Sequence, residues 1–150
     1  MTDFLLIIHV LAAATWIGAG VLSGFAGSRM AGEGGPAELG WAKVSRDATF
    51  KVFIPAAVVT AVSGILMVVL DDAYDWGDAF VTIGLTVVVI GGVIGGVVHR
   101  PTSERLVAAL EGGDYEAAAG LGKRTAIWGA VTIALLIVAV SAMVMKLGAA

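Results

Sequence analysis

From Phe4 to Gly27 the chain carries no Lys, Arg, Asp or Glu. A helix needs about 20 apolar residues, at a rise of about 1.5 Å each, to cross the hydrocarbon core of a bilayer. This run is long enough. Three more stretches share the property: about Val52 to Leu70, Ala79 to Val98 and Ala126 to Val144. In hydrocarbon every backbone N–H and C=O must find its partner within the protein, which leaves helices and closed barrels. The alternation that a membrane barrel needs is missing. The reading is therefore an all-α membrane protein, a four-transmembrane-helix antiparallel bundle forming one domain over residues 1–150. Composition agrees. Only 14% of residues are charged, against roughly 25% in a soluble domain, too few to cover a water-facing surface. Ala12-Ala13-Ala14 imitates a cleavage site, but Asp3 stands where a positive n-region would, and the apolar run is too long for a signal peptide. The first span is expected to stay in the protein.

Charge sets a direction. Arg29, Lys43, Arg46 and Lys51 lie between the first and second spans or at the entry to the second. Arg100, Arg105, Lys123 and Arg124 lie between the third and fourth. The short loop between the second and third has no Lys or Arg, but holds Asp71, Asp72, Asp75 and Asp78. Cytoplasmic loops carry the Lys/Arg excess, so both basic loops are expected in the cytoplasm and both termini outside, in the cytoplasmic (inner) cell membrane. Lys146, at the outer end of the last span, is placed to snorkel to the interface. Nothing in the charge pattern points to nucleic acid. The absence of cysteine excludes disulfides and thiolate metal sites.

Pro36 suits a helix start, and the helix expected from about Ala37 into the second span should be interrupted or kinked at Pro55. Pro101 is expected to end or bend the third span, with Thr102 capping a short amphipathic helix. Gly112-Gly113 should stop that helix, and Asp114 should cap the next. Trp76 and Trp128 fit an aromatic belt, as does Trp41 if its helix lies along the interface. Phe4, Gly20 and Arg29 match Phe80, Gly96 and Arg105 at one constant offset, which suggests a parallel two-hairpin duplication. Gly20-x-x-x-Gly24, Gly91-x-x-x-Gly95 and Gly92-x-x-x-Gly96 let helix backbones approach closely. They serve packing within the bundle or a homodimer face on the third span.

His9 is the most informative side chain. It lies about one and a half turns inside the first span, where polar groups are costly and face the bundle interior. Ala12, Ala13, Trp16 and Gly20 share its helix face. At similar depth on the other spans lie Ser63, Met67, Thr82, Thr86, Ser141 and Met143, with Met145 nearer the surface. Three readings stand side by side. His9 hydrogen-bonds a Ser or Thr across helices while the methionines fill gaps. Or imidazole and thioethers form a soft donor set for copper or haem iron, with His9, Met67 and Met143 as metal ligands and Trp16 against the cofactor. Or His9 handles protons. His99 ends the third span on the basic side, roughly 20 Å away along the helix rise, so the two histidines cannot share one iron. The aspartate loop reads as a solvated acidic turn. No nucleophile elbow, phosphate loop, HExxH motif or pair of carboxylates within the spans appears, so no catalytic residue is assigned.

The run His9-Val10-Leu11-Ala12-Ala13-Ala14-Thr15-Trp16-Ile17-Gly18 resembles the first helix of CopD-like bacterial membrane proteins. The match is closer to their short four-helix group of unknown function than to the longer copper-resistance proteins. Phe53-Ile54-Pro55, Ser63-Gly64, the stretch from Arg105-Leu106 to Gly113-Asp114, and Met143-Val144-Met145-Lys146 are similar to that group's later segments. The resemblance implies an association with copper. More distantly, it implies a first-helix histidine on haem b, as in HemJ-like protoporphyrinogen oxidases. The HemJ type also has a Lys inside a later helix, and this chain has no counterpart expected to be buried, which argues against enzymatic activity. The expectation is a non-enzymatic CopD-like protein with a copper- or haem-binding pocket around His9 in the outer leaflet. The alternatives are a structural or assembly subunit of a larger membrane complex and a haem-linked oxidoreductase.

Overall fold

A computed structural model of the chain describes residues 2–31, 33 and 35–147. Four long helices account for nearly all of them: α1 (Thr2–Met30), α2 (Gly35–Leu70), α3 (Ala79–Glu111) and α4 (Tyr115–Val144). Each is long and apolar enough to cross a membrane, and no strand occurs among the described residues. The protein is a multi-pass four-helix bundle.

The helices are longer than the apolar runs because α2, α3 and α4 extend past them at the basic end. Lys, Arg and Glu side chains are good helix formers once in water, so polarity does not stop a helix that is already nucleated. These extensions, called stems below, build a second small core from Ala42, Val107, Leu110 and Ala118. Lys43 Nζ meets Glu111 Oε1 at 2.8 Å across it.

Neither proline breaks its helix. In α2 a π-helical turn at Thr49–Phe53 precedes Pro55, and in α3 another at Ile94–His99 precedes Pro101. A proline ring collides with the carbonyl four residues earlier and leaves it without a donor. Widening the preceding turn makes room for the ring. Pro101 therefore does not end the third span, and Thr102 caps nothing. It lies inside the helix, 3% exposed, against the stems. Trp41 does not sit on a separate helix, since its stem is continuous with α2, and its indole approaches Gly27 of α1. Two local expectations hold. The α3 stem stops at Glu111 before Gly112 and Gly113, the latter with φ +73°. Asp114 caps α4 by accepting from Ala117 N at 3.0 Å.

Within the membrane, α1 packs most extensively on α2 and also on α4, while α3 pairs with α4. The spanning parts of α2 and α3 touch far less than their stems do. The central core is Trp16, Ala56, Val87, Leu136 and Ala139. Gly20 and Gly91 allow two of the close approaches: a side chain at Gly91 would meet the Trp16 ring, and one at Gly20 would meet Ile133. Gly24, Gly92, Gly95 and Gly96 have nothing near them. Large apolar side chains cover the outside, among them Phe4, Leu22, Val97 and Val144. The accessible surface is 8633 Å², whereas a compact soluble globule of this mass exposes about 7,100 Å². An elongated bundle with a greasy exterior is what lipid solvates.

Candidate functional site

His9 is 8% exposed and lies against α2. Gly64 is what lets it in, because a Cβ there would sit 3.1 Å from His9 Cε1 and 3.4 Å from Nδ1. Without that Cβ the imidazole reaches the helix backbone, and Nδ1 lies 2.9 Å from the Thr60 carbonyl oxygen. A carbonyl only accepts, so Nδ1 carries the proton and donates. The Ser63 hydroxyl is 3.1 Å from the same nitrogen. It donates back to the Val59 carbonyl at 2.6 Å, so its lone pairs can face Nδ1. The outcome is one defined tautomer, with Nε2 left as a lone-pair donor. No protein group bonds Nε2 among the described residues, yet no buried polar side-chain atom there is orphaned. Nε2 therefore keeps access to the cavity that His9 lines.

That cavity holds about 310 Å³ in the half of the bundle nearest the acidic loop. Pockets for small organic ligands run from roughly 300 to 1,000 Å³. α1 and α4 form its back, through Leu6, His9, Ala13, Leu136, Ala139 and Met143. α2 and α3 form the sides, and Tyr74 and Trp76 of the loop the roof. Met67 is 7% exposed and lines it from α2. The Met143 methyl rests on Gly84, where any side chain would displace it.

His9, Met67 and Met143 are thus brought to one cavity. Trp16 is not among its lining residues; it is 5% exposed in the central core, against Gly91. Thr82, Thr86, Ser141 and Met145 share the depth of the site but point outward, because depth along a helix does not fix which face a residue occupies. Ser63 belongs to the site through the histidine. His99 lies in the π turn of α3 at the far, basic end. Asp71, Asp75 and Asp78 fold the acidic loop on themselves, accepting from Ala73 N, Gly77 N and Asp75 N. No three His, Asp or Glu side chains gather as a metal cluster among the described residues.

Sequence reasoning did not single out Thr60 as a partner, Gly64 and Gly84 as the clearances, or Tyr74 and Phe80 as walls. It placed Lys146 only at the interface, yet Lys146 lines the cavity mouth. A left-handed turn, φ +46°, puts it there. Leu147 N bonds the Ala142 carbonyl, Lys146 N bonds the Met143 carbonyl, and Leu147 O accepts from Phe80 N of α3. One signal was readable: Thr60, Ser63, Gly64 and Met67 recur at helical spacing and form the single face of α2 that meets His9.

The donor set suits a soft metal or haem iron. Histidines that bind metal usually donate their other ring N–H to a carbonyl or carboxylate, which fixes the tautomer and raises ligand basicity. His9 has that arrangement already, with two thioethers on the same cavity. No protein-family model, curated protein or solved structure matches this chain. Fold and site together define a class, the multi-pass helical membrane proteins with a histidine-bearing cavity between their spans.

Proposed function

We propose that the protein is a non-enzymatic, CopD-like membrane protein that binds copper or haem b in the cavity behind α2 and α3. The supporting observation is the Nδ1–H···O=C bond from His9 to Thr60, which presents Nε2 to the cavity as a neutral ligand. Copper(I) would be held by His9 with Met67 and Met143, and haem iron by His9 alone, with aliphatic walls against the ring. Bound there, either group would supply one-electron chemistry or act as cargo. The chain's own part is to orient the imidazole and to exclude water. The basic stems lie in the cytoplasm and the acidic loop outside, by the positive-inside rule, so the site belongs to the outer leaflet of the cytoplasmic membrane.

The test is expression with copper and haem supplied, followed by metal analysis and an absorption spectrum of the protein in detergent. Copper, or a Soret band, is expected in the wild type and should be lost in His9→Ala. Equal emptiness of both proteins would end the proposal.

One observation favours a second reading, a subunit of a homodimer or of a larger membrane complex. Gly92, Gly95 and Gly96 of α3 meet no neighbour, and small residues on an outer helix face allow close association. Native co-purification tests it. A chain isolated alone and monomeric counts against it.

A further inference from the structure

The cavity has a side window. Ile65 of α2 and Leu85 of α3 both line it and are 39% and 40% exposed, as are Leu6 of α1 and Val140 of α4 at 41% and 37%, so it is the sparse contact between α2 and α3 that marks the opening. α2 and α3 pack closely at their basic stems and are joined by the short acidic loop at the other end. Between those two points they barely touch. The π turns at Thr49–Phe53 and Ile94–His99 lie where the stems give way to the spans, so both helices change their winding at the level where they part. The stems are secured by their own core and by the Lys43–Glu111 pair. They hold the two helices while the seam between the spans stays open.

The route from water is different in kind. The roof is made of Tyr74 and Trp76 of the aspartate loop, and inside it the walls are apolar except for His9, Thr60, Lys146 and the thioethers of Met67 and Met143. The Thr60 hydroxyl is already committed to the Ala56 carbonyl at 2.8 Å. A hydrated ion entering from above would have to shed its water at this apolar mouth before it reached His9 and the two thioethers. An apolar molecule already dissolved in hydrocarbon crosses the α2–α3 seam with no such penalty.

We infer that the cavity is loaded sideways from the bilayer, through the seam between α2 and α3 bordered by Ile65 and Leu85. Its ligand is a small lipid-soluble molecule carrying one polar or metal centre for His9 Nε2. This rests on reading the His9 cavity as a binding site, and it narrows the occupant to one that partitions into lipid, which a bare copper ion does not.

The natural sequence has no cysteine, which makes a direct test available. Met143→Cys places one thiol on the back wall of the cavity. The protein is reconstituted in phosphatidylcholine vesicles and treated with either of two probes, pyrene maleimide dissolved in the lipid or a trimethylammonium maleimide in the water. The expected result is fast labelling by the lipid-borne probe. The charged probe should be slower on the order of a hundredfold, because a fixed charge is excluded from hydrocarbon. Adding Ile65→Trp and Leu85→Trp should slow the lipid-borne probe several-fold at Met143→Cys. The same pair should leave unchanged its rate at Ile137→Cys, a thiol on the outer face of α4 that also verifies folding. Equal rates for the two probes at Met143→Cys, or no effect of the tryptophan pair there, would overturn the inference. Neither outcome depends on copper or haem, so failure here is separable from failure of the binding proposal.

Discussion

Replacing Gly91 by alanine tests the packing that holds the site in place. A Cβ at this position would lie 3.1 Å from Trp16 Cη2 and 3.2 Å from Cζ2, while carbon pairs rest at about 3.5–4.0 Å. The ring has to retreat by roughly half an ångström to restore that spacing. It cannot do so freely, since Ala56, Val87, Leu136 and Ala139 enclose it. Overpacking of this kind costs about 1–3 kcal/mol, offset by up to about 1 kcal/mol from the better helix propensity of alanine. The net expectation for Gly91→Ala is a loss of about 0.5–2 kcal/mol. In a Trp16→Phe background the distal ring atoms are gone, and the same substitution should be neutral or stabilising. The double-mutant cycle should return a coupling of about 1–2 kcal/mol. Gly92→Ala, which meets nothing within 4 Å, is the control and should cost nothing. Reversible unfolding in mixed detergent micelles, or steric trapping in bicelles, measures all four variants. Equal effects of Gly91→Ala in the two backgrounds would refute the reasoning.

Two further outcomes follow from the ends of the bundle. The Lys43 ammonium, 2.8 Å from Glu111, holds that carboxyl below its ordinary value of 4.5. A depressed carboxyl stabilises the fold above its unfolded pKa and loses that contribution as pH falls through the folded value. The stability difference between wild type and Glu111→Gln should therefore be full near neutrality and should vanish as acid protonates the pair; a difference that grows in acid would contradict this. Lys146 occupies a left-handed turn, φ +46°, at a helix end where glycine is the usual occupant. Lys146→Gly should raise stability by about 1 kcal/mol, read from the unfolding midpoint, and a lower midpoint would show that the side chain contributes more than its backbone costs.

The spans were legible because a lipid-facing helix needs an unbroken apolar run, and this chain ends such runs only at loops and at the polar stems. Helix after Pro36, Thr102 and Asp114 was legible too, but not that the third helix runs on unbroken through Pro101, because proline is a helix breaker only when the turn before it stays α-helical. The wider turns before Pro55 and Pro101 cannot be read from residue type. At the site, burial of His9 followed from the cost of a polar side chain in hydrocarbon, and depth brought in Ser63, Met67 and Met143. Depth also brought in Thr82, Thr86, Ser141 and Met145, which point away, because only the rotation of each helix decides what faces inward. That rotation depends on where backbones come closest, here at Gly64 under His9 and at Gly91 under Trp16. Glycines with and without neighbours look alike in sequence: Gly91 is packed and Gly92, one residue on, is open. Trp16 shares a helix face with His9, but the close approach at Gly91 draws its ring into the core below the cavity.

The state of the His9 ring is open to direct observation by nitrogen-15 resonance of histidine-labelled protein in bilayers, with His99→Gln used to assign the two histidines. At neutral pH the Nδ1 of His9 should resonate as a protonated ring nitrogen and Nε2 as a bare one, with no tautomer averaging, since the Thr60 carbonyl can accept only from Nδ1–H. A proton on Nε2, or an averaged signal like that of free histidine in water, would contradict a neutral ligand nitrogen facing the cavity.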